Sequence, residues 1–421
     1  MALSLVTQEL ELADFDLLQH LPSDPLTFIR NGQGIVGWGE AVRLESSAVN
    51  GRIQDLAAQW QALVATAQVV DPIGLPGTGL IAFGTLAFSD ASKTPSTLIV
   101  PKVVLGSRDG RVWLTTVDGV DAHDFWSKPA TYAHNGATVF ANGQVSPAQF
   151  KENVAAALEQ IAAGQVEKIV LARDITATVA VDFDVRPSLV RLANQYPSCW
   201  VYSVDGMFGA SPELLVRVSH GQVSARVLAG TAGRGTDPGV DQAIAAALAD
   251  SEKNKNEHAF AVNSLVEALT PFCEHVDADA NPFSLALPNL WHLASDVHGV
   301  LKQDSSVLDL AAALHPTAAV AGTPTAKALS AISKIEDIDR GRYAGPVGWI
   351  GADGDGEWAI ALRGAQLEKM NKTQLDHSDA SQASELIIRA FAGCGIVAGS
   401  TADAELEETE LKFRPIRDAL I

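Results

Sequence analysis

Cysteine is nearly absent from the sequence. Cys199, Cys273 and Cys394 are the only three in 421 residues, too scattered for a disulfide framework, and the odd number leaves at least one thiol free. That usage fits a reducing, cytoplasmic compartment. Basic residues are scarce as well: thirty Lys and Arg stand against fifty Asp and Glu, a formal charge of -20 at pH 7. Such a field repels nucleic-acid backbones and anionic lipid surfaces, so no nucleic-acid partner is expected. An anionic substrate would need a local basic pocket set against it. Long apolar runs are missing too. The most apolar stretch, Ile73 to Phe88, is broken by Gly74, Pro76, Gly77, Gly79 and Gly84, well short of the ~20 residues that span a bilayer. The first twenty residues carry Glu9, Glu11, Asp14 and Asp16 and no basic region ahead of an apolar run, which is not a signal-peptide pattern. No membrane partner is expected.

What is present reads as an α+β chain with large antiparallel sheets and helices outside them. Up to residue 145, apolar stretches such as GLIAFGTLAF, TLIVPKVVLG and RVWLTTV alternate with Gly, Pro, Ser and Asp clusters, the pattern of strands and turns; one helix is expected over 47–69. At Ser146-Pro147 a helix begins, with Ser at the N-cap and Pro at the first helical position. This sets an expected boundary between a variable β-rich region, 1–145, and a catalytic region, 146–421. Beyond it, strand-like runs mostly follow one another, with helices expected near 186–195, 238–272, 306–314, 323–334 and 402–412, which argues against a regular βαβ alternation. The polar MNKTQLDHSDASQAS at 370–384 is expected to be an exposed loop.

Several familiar signals carry little. GTAGRGTDPG lacks the dinucleotide-binding spacing, DGDGE would place Gly364 where a calcium loop needs a bidentate Glu, and Cys273 with His275 has no further zinc ligands nearby. The C-terminal DAELEETELK says more. Glu405, Glu408, Thr409 and Lys412 are spaced i, i+3, i+4, i+7 and share one helix face. Carboxylates one turn apart form either a solvated acidic face or a place for a hard cation such as Mg²⁺. The preceding AFAGCGIVAGS is a strand whose Gly393, Gly395 and Gly399 let a small ligand approach the backbone. Glu257 stands where the charged part of a second helix meets its apolar stripe, and alone it reads as ordinary surface charge.

Three further residues sit on strands. Lys168 alternates with Val166, Val170 and Ala172 on the face with the smaller side chains; burial there would free its amine as a general base, whereas at an edge it would only deter aggregation. Glu213 begins a strand after a Ser-Pro turn, and burial beside Leu214 and Leu215 would hold it protonated as an acid. Arg363 is expected on one strand face with Ala359 and Ala361, as a carboxylate clamp or as one half of a plain salt bridge.

Taken in order, VEKIVLAR, SPELL, LAGT, KNKNEH, HLASDVHG, LHPTAAVAGTP, DRGRYAGPVGW, GEWAIALR, AGCGIVAGS and EETELK resemble the chorismate-utilising enzymes. Ser146 to Lys412 carries the likeness. The resemblance implies the sandwich-like fold of anthranilate synthase component I. Within the family the sequence is most similar to isochorismate synthases, because Lys168 stands where amino-group-installing members usually carry Gln, and because LHPTAAVAGTP, with His315 placed on the substrate side, follows their pattern. Salicylate synthases, which share the lysine, and non-catalytic relatives are the alternatives. Cys394 replaces a usual Ala and is expected to crowd the ligand slightly.

The family's roles, carried onto these positions, imply that Lys168 is the general base and Glu213 the general acid in exchanging chorismate and isochorismate. Glu257, Glu405 and Glu408 would hold Mg²⁺. Arg363, Lys412 and the amides near Gly393 and Gly395 would bind the enolpyruvyl carboxylate, and Gly230 with Thr231 would line the ring side. With water as nucleophile, no glutamine amidotransferase subunit is expected, and a monomer or weak dimer is. The product would feed menaquinone or a siderophore.

Overall fold

The computed structural model describes residues 3–12, 14–121, 130–133, 135–286, 290–369 and 385–421. The polar segment 370–384, expected to be a loop, lies outside them. The chain forms two compact units, one of residues 1–213, 315–351 and 359–421, the other of residues 214–314 and 352–358. The boundary expected at 145/146 therefore falls inside the larger unit. No helix among the described residues is long and apolar enough to cross a membrane.

The larger unit is built on a sheet of thirteen strands among the described residues. It is antiparallel throughout except for one edge pair, Ser4–Leu10 with Gln68–Val70. A second antiparallel set in the same unit joins Val42–Ser46, Ser96–Val100, Ile81–Thr85 and Pro346–Gly351. The two layers face each other. A Cβ added at Gly37 of the large sheet would lie 2.9 Å from the Phe83 ring of the second set, so the glycine leaves room for an aromatic of the opposite layer. The smaller unit pairs Leu214–Ser219, Gln222–Gly233, Leu290–Leu301 and Cys273–Ala278 antiparallel in that order. The run LLVRVSHGQVSARVLAG is thus a hairpin, turned at His220 and Gly221, both with positive φ.

Helices cover these sheets as the alternation of patterns implied, with differences that have local causes. Ser146 caps Pro147–Ala162 by accepting the Gln149 N–H at 3.2 Å. That helix buries Phe150, Val154 and Ala157 beneath the Lys168–Ala180 strand, at about 1.5–3 kcal/mol for a fully buried Phe or Val. The helix expected over 47–69 is confined to Arg52–Val64. The single helix expected over 238–272 is two, Pro238–Asp250 and Glu252–Leu269, because Ser251 adopts an extended conformation and caps the second by accepting from Asn254 N–H. The C-terminal helix runs past residue 412 to Ala419, through Pro415, because Phe413, Ile416 and Ala419 bury into the core of the large sheet.

Candidate active site

The Lys168–Ala180 strand pairs with Glu385–Val397 so that Lys168 meets Val397, Val170 meets Gly395 and Ala172 meets Gly393. Side chains alternate across a strand, so Lys168 shares a face with the two glycines. Ile169, Leu171, Cys394 and Ile396 occupy the opposite face, inside a core with Ala331 and Ile332. Lys168 lies across Gly395: a Cβ there would be 2.6 Å from its Cε and 3.4 Å from its Nζ. The glycine thus makes space for the lysine. Cys394 corrects an expectation, since it points into the core at 1% exposure and its Sγ donates to the Glu405 carbonyl at 3.5 Å. It does not crowd the glycine face.

The amides of Gly393 and Gly395 point away from the lysine strand. Val170 N–H donates to Ala321 O at 2.9 Å and Ala172 N–H to Glu336 Oε1 at 2.7 Å, so neither bonds to the glycine strand. Both cross-strand pairs are therefore of the non-hydrogen-bonded kind, and the glycines' polar groups face the other edge. There the neighbouring strand, Gly364–Lys369, pairs only with Leu386 to Ala390. The Gly393 carbonyl accepts from Lys412 Nζ at 2.8 Å.

Arg363 immediately precedes that neighbouring strand and departs from its expected place. The strand carrying Ala359 ends at Ile360, and Arg363 has φ +53°, in the left-handed region, so the two-residue alternation does not carry through to it. Among the described residues no hydrogen bond or ion pair engages its guanidinium. Burial lowers its pKa, opposed by nearby Tyr343, Glu408, Cys199 and Glu213. A desolvated guanidinium without a counterion is matched by an anionic ligand.

Glu213 closes the Ser-Pro turn. Its N–H donates to Ser211 Oγ at 3.2 Å and its carbonyl accepts from Ile360 N–H at 3.0 Å. Burial raises its carboxyl pKa, while Lys168, Lys412 and Arg363 pull it back. Three basic groups thus act on one desolvated carboxyl, which is the local basic region that a chain of charge -20 needs for an anionic substrate. Tyr343, singled out by no spacing in the sequence, belongs here. It stacks on Phe391 with ring centres 5.1 Å apart, its hydroxyl would be 3.3 Å from a Cβ at Gly393, and burial pushes its phenol up to about 12. Only the cross-strand geometry identifies it.

On the C-terminal helix, the expected common face has two electrostatic environments. Lys412 Nζ meets Glu408 Oε1 at 2.6 Å. Glu405 is buried, the Cys394 thiol lies against its carboxylate, and among the described residues no cation pairs with it. A buried carboxylate without a cation is costly, and beside a second carboxylate one turn away it suits a hard divalent cation. Among the described residues no group of three or more His, Cys, Asp or Glu gathers as a metal site. Glu257 lies on Glu252–Leu269 in the smaller unit, with its side chain outside the described residues.

Gly230 and Thr231 also belong to the smaller unit. Gly230 has φ +77° at a bulge between Ala229 and Thr231, and the Thr231 side chain lies outside the described residues. His258 bridges Ala229 O at 3.1 Å and Ser295 Oγ at 2.9 Å, fixing the helix of Glu257 to the strand of Gly230. His315 is in the larger unit but apart from the lysine cluster: its Nε2 bonds to Phe88 O at 2.9 Å, and burial lowers its pKa to about 4. Nothing links it to Lys168, Glu213 or Arg363 among the described residues.

Comparison with known proteins gives the family and the fold. The sequence profile of the chorismate binding enzymes matches residues 4–421. The candidate isochorismate synthase MenF of Mycobacterium tuberculosis is 38% identical over 358 residues, covering 82% of this chain and 87% of that one. The isochorismate synthase DhbC of Bacillus subtilis is 36% identical over 313 residues, covering 70% and 75%. The structure of MenF, the menaquinone-specific isochorismate synthase from Escherichia coli, superposes with a TM-score of 0.75 at 22% identity, covering 100% of this chain and 95% of that one. That last likeness is one of fold.

Proposed function

The chain belongs to the chorismate binding enzymes, and from that membership we propose that it is an isochorismate synthase. The observation that carries the proposal is Lys168 laid across Gly395 while Lys168, Lys412 and Arg363 all act on the raised carboxyl of Glu213. An amine and a protonated carboxyl in one basic region suit a reaction in which one water attacks and the departing hydroxyl leaves, protonated, as another. Lys168, as the free amine, takes a proton from the water that attacks C2 of the chorismate ring. Glu213, protonated, gives its proton to the departing C4 hydroxyl, and the ring double bonds shift between the two carbons. One water is consumed and one released, so the step is an isomerisation. The rest of the fit is electrostatic: Arg363, Lys412 and the outward amides of Gly393 and Gly395 suit the enolpyruvyl carboxylate.

Mg²⁺ is the cation that Glu405 and Glu408 would hold, and when bound it would supply positive charge to the ring carboxylate. Independence from a glutamine amidotransferase and a cytoplasmic location complete the proposal.

The test is the product. Purified protein with chorismate and Mg²⁺ is expected to form isochorismate without pyruvate, read by chromatography of the quenched mixture. Stoichiometric pyruvate would reassign the chain as a salicylate synthase, and an ammonia-dependent aminated product would overturn water as the nucleophile.

Replacing Glu405 or Glu408 by Gln is expected to raise the Mg²⁺ concentration giving half-maximal activity by on the order of 10–100-fold. Without metal, Glu405→Gln should melt at a temperature equal to or above wild type, because a buried carboxylate with no paired cation is removed. Glu408→Gln sacrifices only a part-exposed pair with Lys412, so its melting temperature should change little. An unchanged Mg²⁺ response in both variants would return this helix face to a simple acidic surface.

A further inference from the structure

We propose that Tyr202 is a positioning residue that holds Arg363 in its working orientation; this rests on the reading of Arg363 as the carboxylate clamp. Tyr202 is a central residue of Trp200–Val204, paired on one side with Gly209 of Met207–Ser211 and on the other with Phe28. It is fully buried. Its hydroxyl donates to the Leu362 carbonyl at 3.0 Å, one residue before Arg363.

The surroundings are shaped to admit that hydroxyl. Gly209 and Gly364 face each other across adjacent strands, and the phenol oxygen occupies the space where side chains would stand. A Cβ at Gly209 would lie 2.6 Å from it, and one at Gly364 would also collide with it. The Arg363 carbonyl accepts from Ala210 N–H at 3.4 Å. The carbonyls of Leu362 and Arg363 are thus both held by the Trp200–Ser211 hairpin.

This matters because Arg363 carries a Cβ and still adopts φ +53°. A left-handed backbone is disfavoured for such a residue, so it persists only where the surroundings determine it. The conformation ends one strand before the guanidinium and begins the next after it, and so it decides where the charge is presented. Without the phenol oxygen, the Leu362 carbonyl loses its bond and the turn can relax. Burial keeps the phenol pKa far above its usual value, so the donor is present throughout the working pH range. Tyr202 acts through Arg363, since its one hydroxyl proton is already committed to Leu362.

The experiment uses the full chain. Tyr202→Phe removes only the oxygen, and its KM for chorismate is expected to rise about 3- to 10-fold, the weight of one neutral hydrogen bond, with kcat within about twofold of wild type. Tyr202→Met, which lacks the hydroxyl and adds no atom beside the turn, should reproduce the KM change if the first variant folds poorly. The decisive measurement is a cycle with Arg363→Gln, using calorimetric dissociation constants for chorismate. Once the guanidinium is gone, Tyr202→Phe should have no further effect on affinity, because the two residues act as one unit. An unchanged KM in both Tyr202→Phe and Tyr202→Met, or the same fold loss with and without Arg363, would overturn the positioning role. Absence of isochorismate formation by the wild type would instead overturn the functional reading, and this one with it.

Discussion

Lys168→Met and Glu213→Gln should each lower kcat by on the order of 10²–10⁴-fold, the usual contribution of a general acid or base, or ~3–5 kcal/mol at 1.36 kcal/mol per decade. Chorismate affinity should fall much less, since neither group is the carboxylate clamp. The pH profile separates the two roles. Glu213 works protonated, and burial raises its pKa, so activity that depends on it is present at lower pH and is lost as the pH rises through the raised value. This is the alkaline limb, and Glu213→Gln should abolish it. Lys168 works as the free amine, so it supplies the acidic limb, which Lys168→Met should abolish. The stability consequence of Glu213 has the same sign. The folded protein binds that proton more tightly than the unfolded chain, so its contribution is fully present below the ordinary carboxyl value of ~4.3 and is lost as the pH rises through the folded one. Melting temperatures of wild type and Glu213→Gln across that range measure it. If Lys168→Met kept more than about a tenth of wild-type turnover, Lys168 would be a structural residue.

Arg363→Gln should lower kcat/KM for chorismate by a factor of about 30 to several thousand, the ~2–5 kcal/mol lost when one partner of a desolvated charge pair is truncated. The protein itself should tolerate the change. In the free protein no hydrogen bond or ion pair engages the guanidinium among the described residues, and burial already works against its charge. The melting temperature without substrate should therefore hold or rise while catalysis collapses. A parallel loss of stability and activity would identify Arg363 as a fold-maintaining residue and remove it from the ligand site. Arg363→Lys should recover little, because a lysine has no bidentate fork for a carboxylate.

Local periodicity was sufficient for part of this site. Alternation along VEKIVLAR placed Lys168 opposite Ile169 and Leu171, and the structure has the lysine on the glycine face with both apolar residues in the core. The spacing of Glu405, Glu408 and Lys412 gave a helix face that the Lys412 to Glu408 pair realises. The Ser146 cap was equally legible, because a cap is set by residues three positions apart. Such features depend on neighbours in the chain, which a sequence displays directly.

What tertiary structure decided was the environment of each group. Equal spacing could not tell Glu405, buried without a counterion, from Glu408, paired with lysine. The run EWAIALRGAQLE reads as one strand, yet Arg363 breaks it, and its turn is held by a tyrosine 160 positions earlier. Ser251 divides what composition presents as a single helix. Tyr343 acquires meaning only from its place beside Gly393 and Phe391. Backbone conformation at such points and the desolvation of a charge are set by atoms brought together across strands, and cross-strand register is a property of the folded sheet that no run of neighbouring residues encodes.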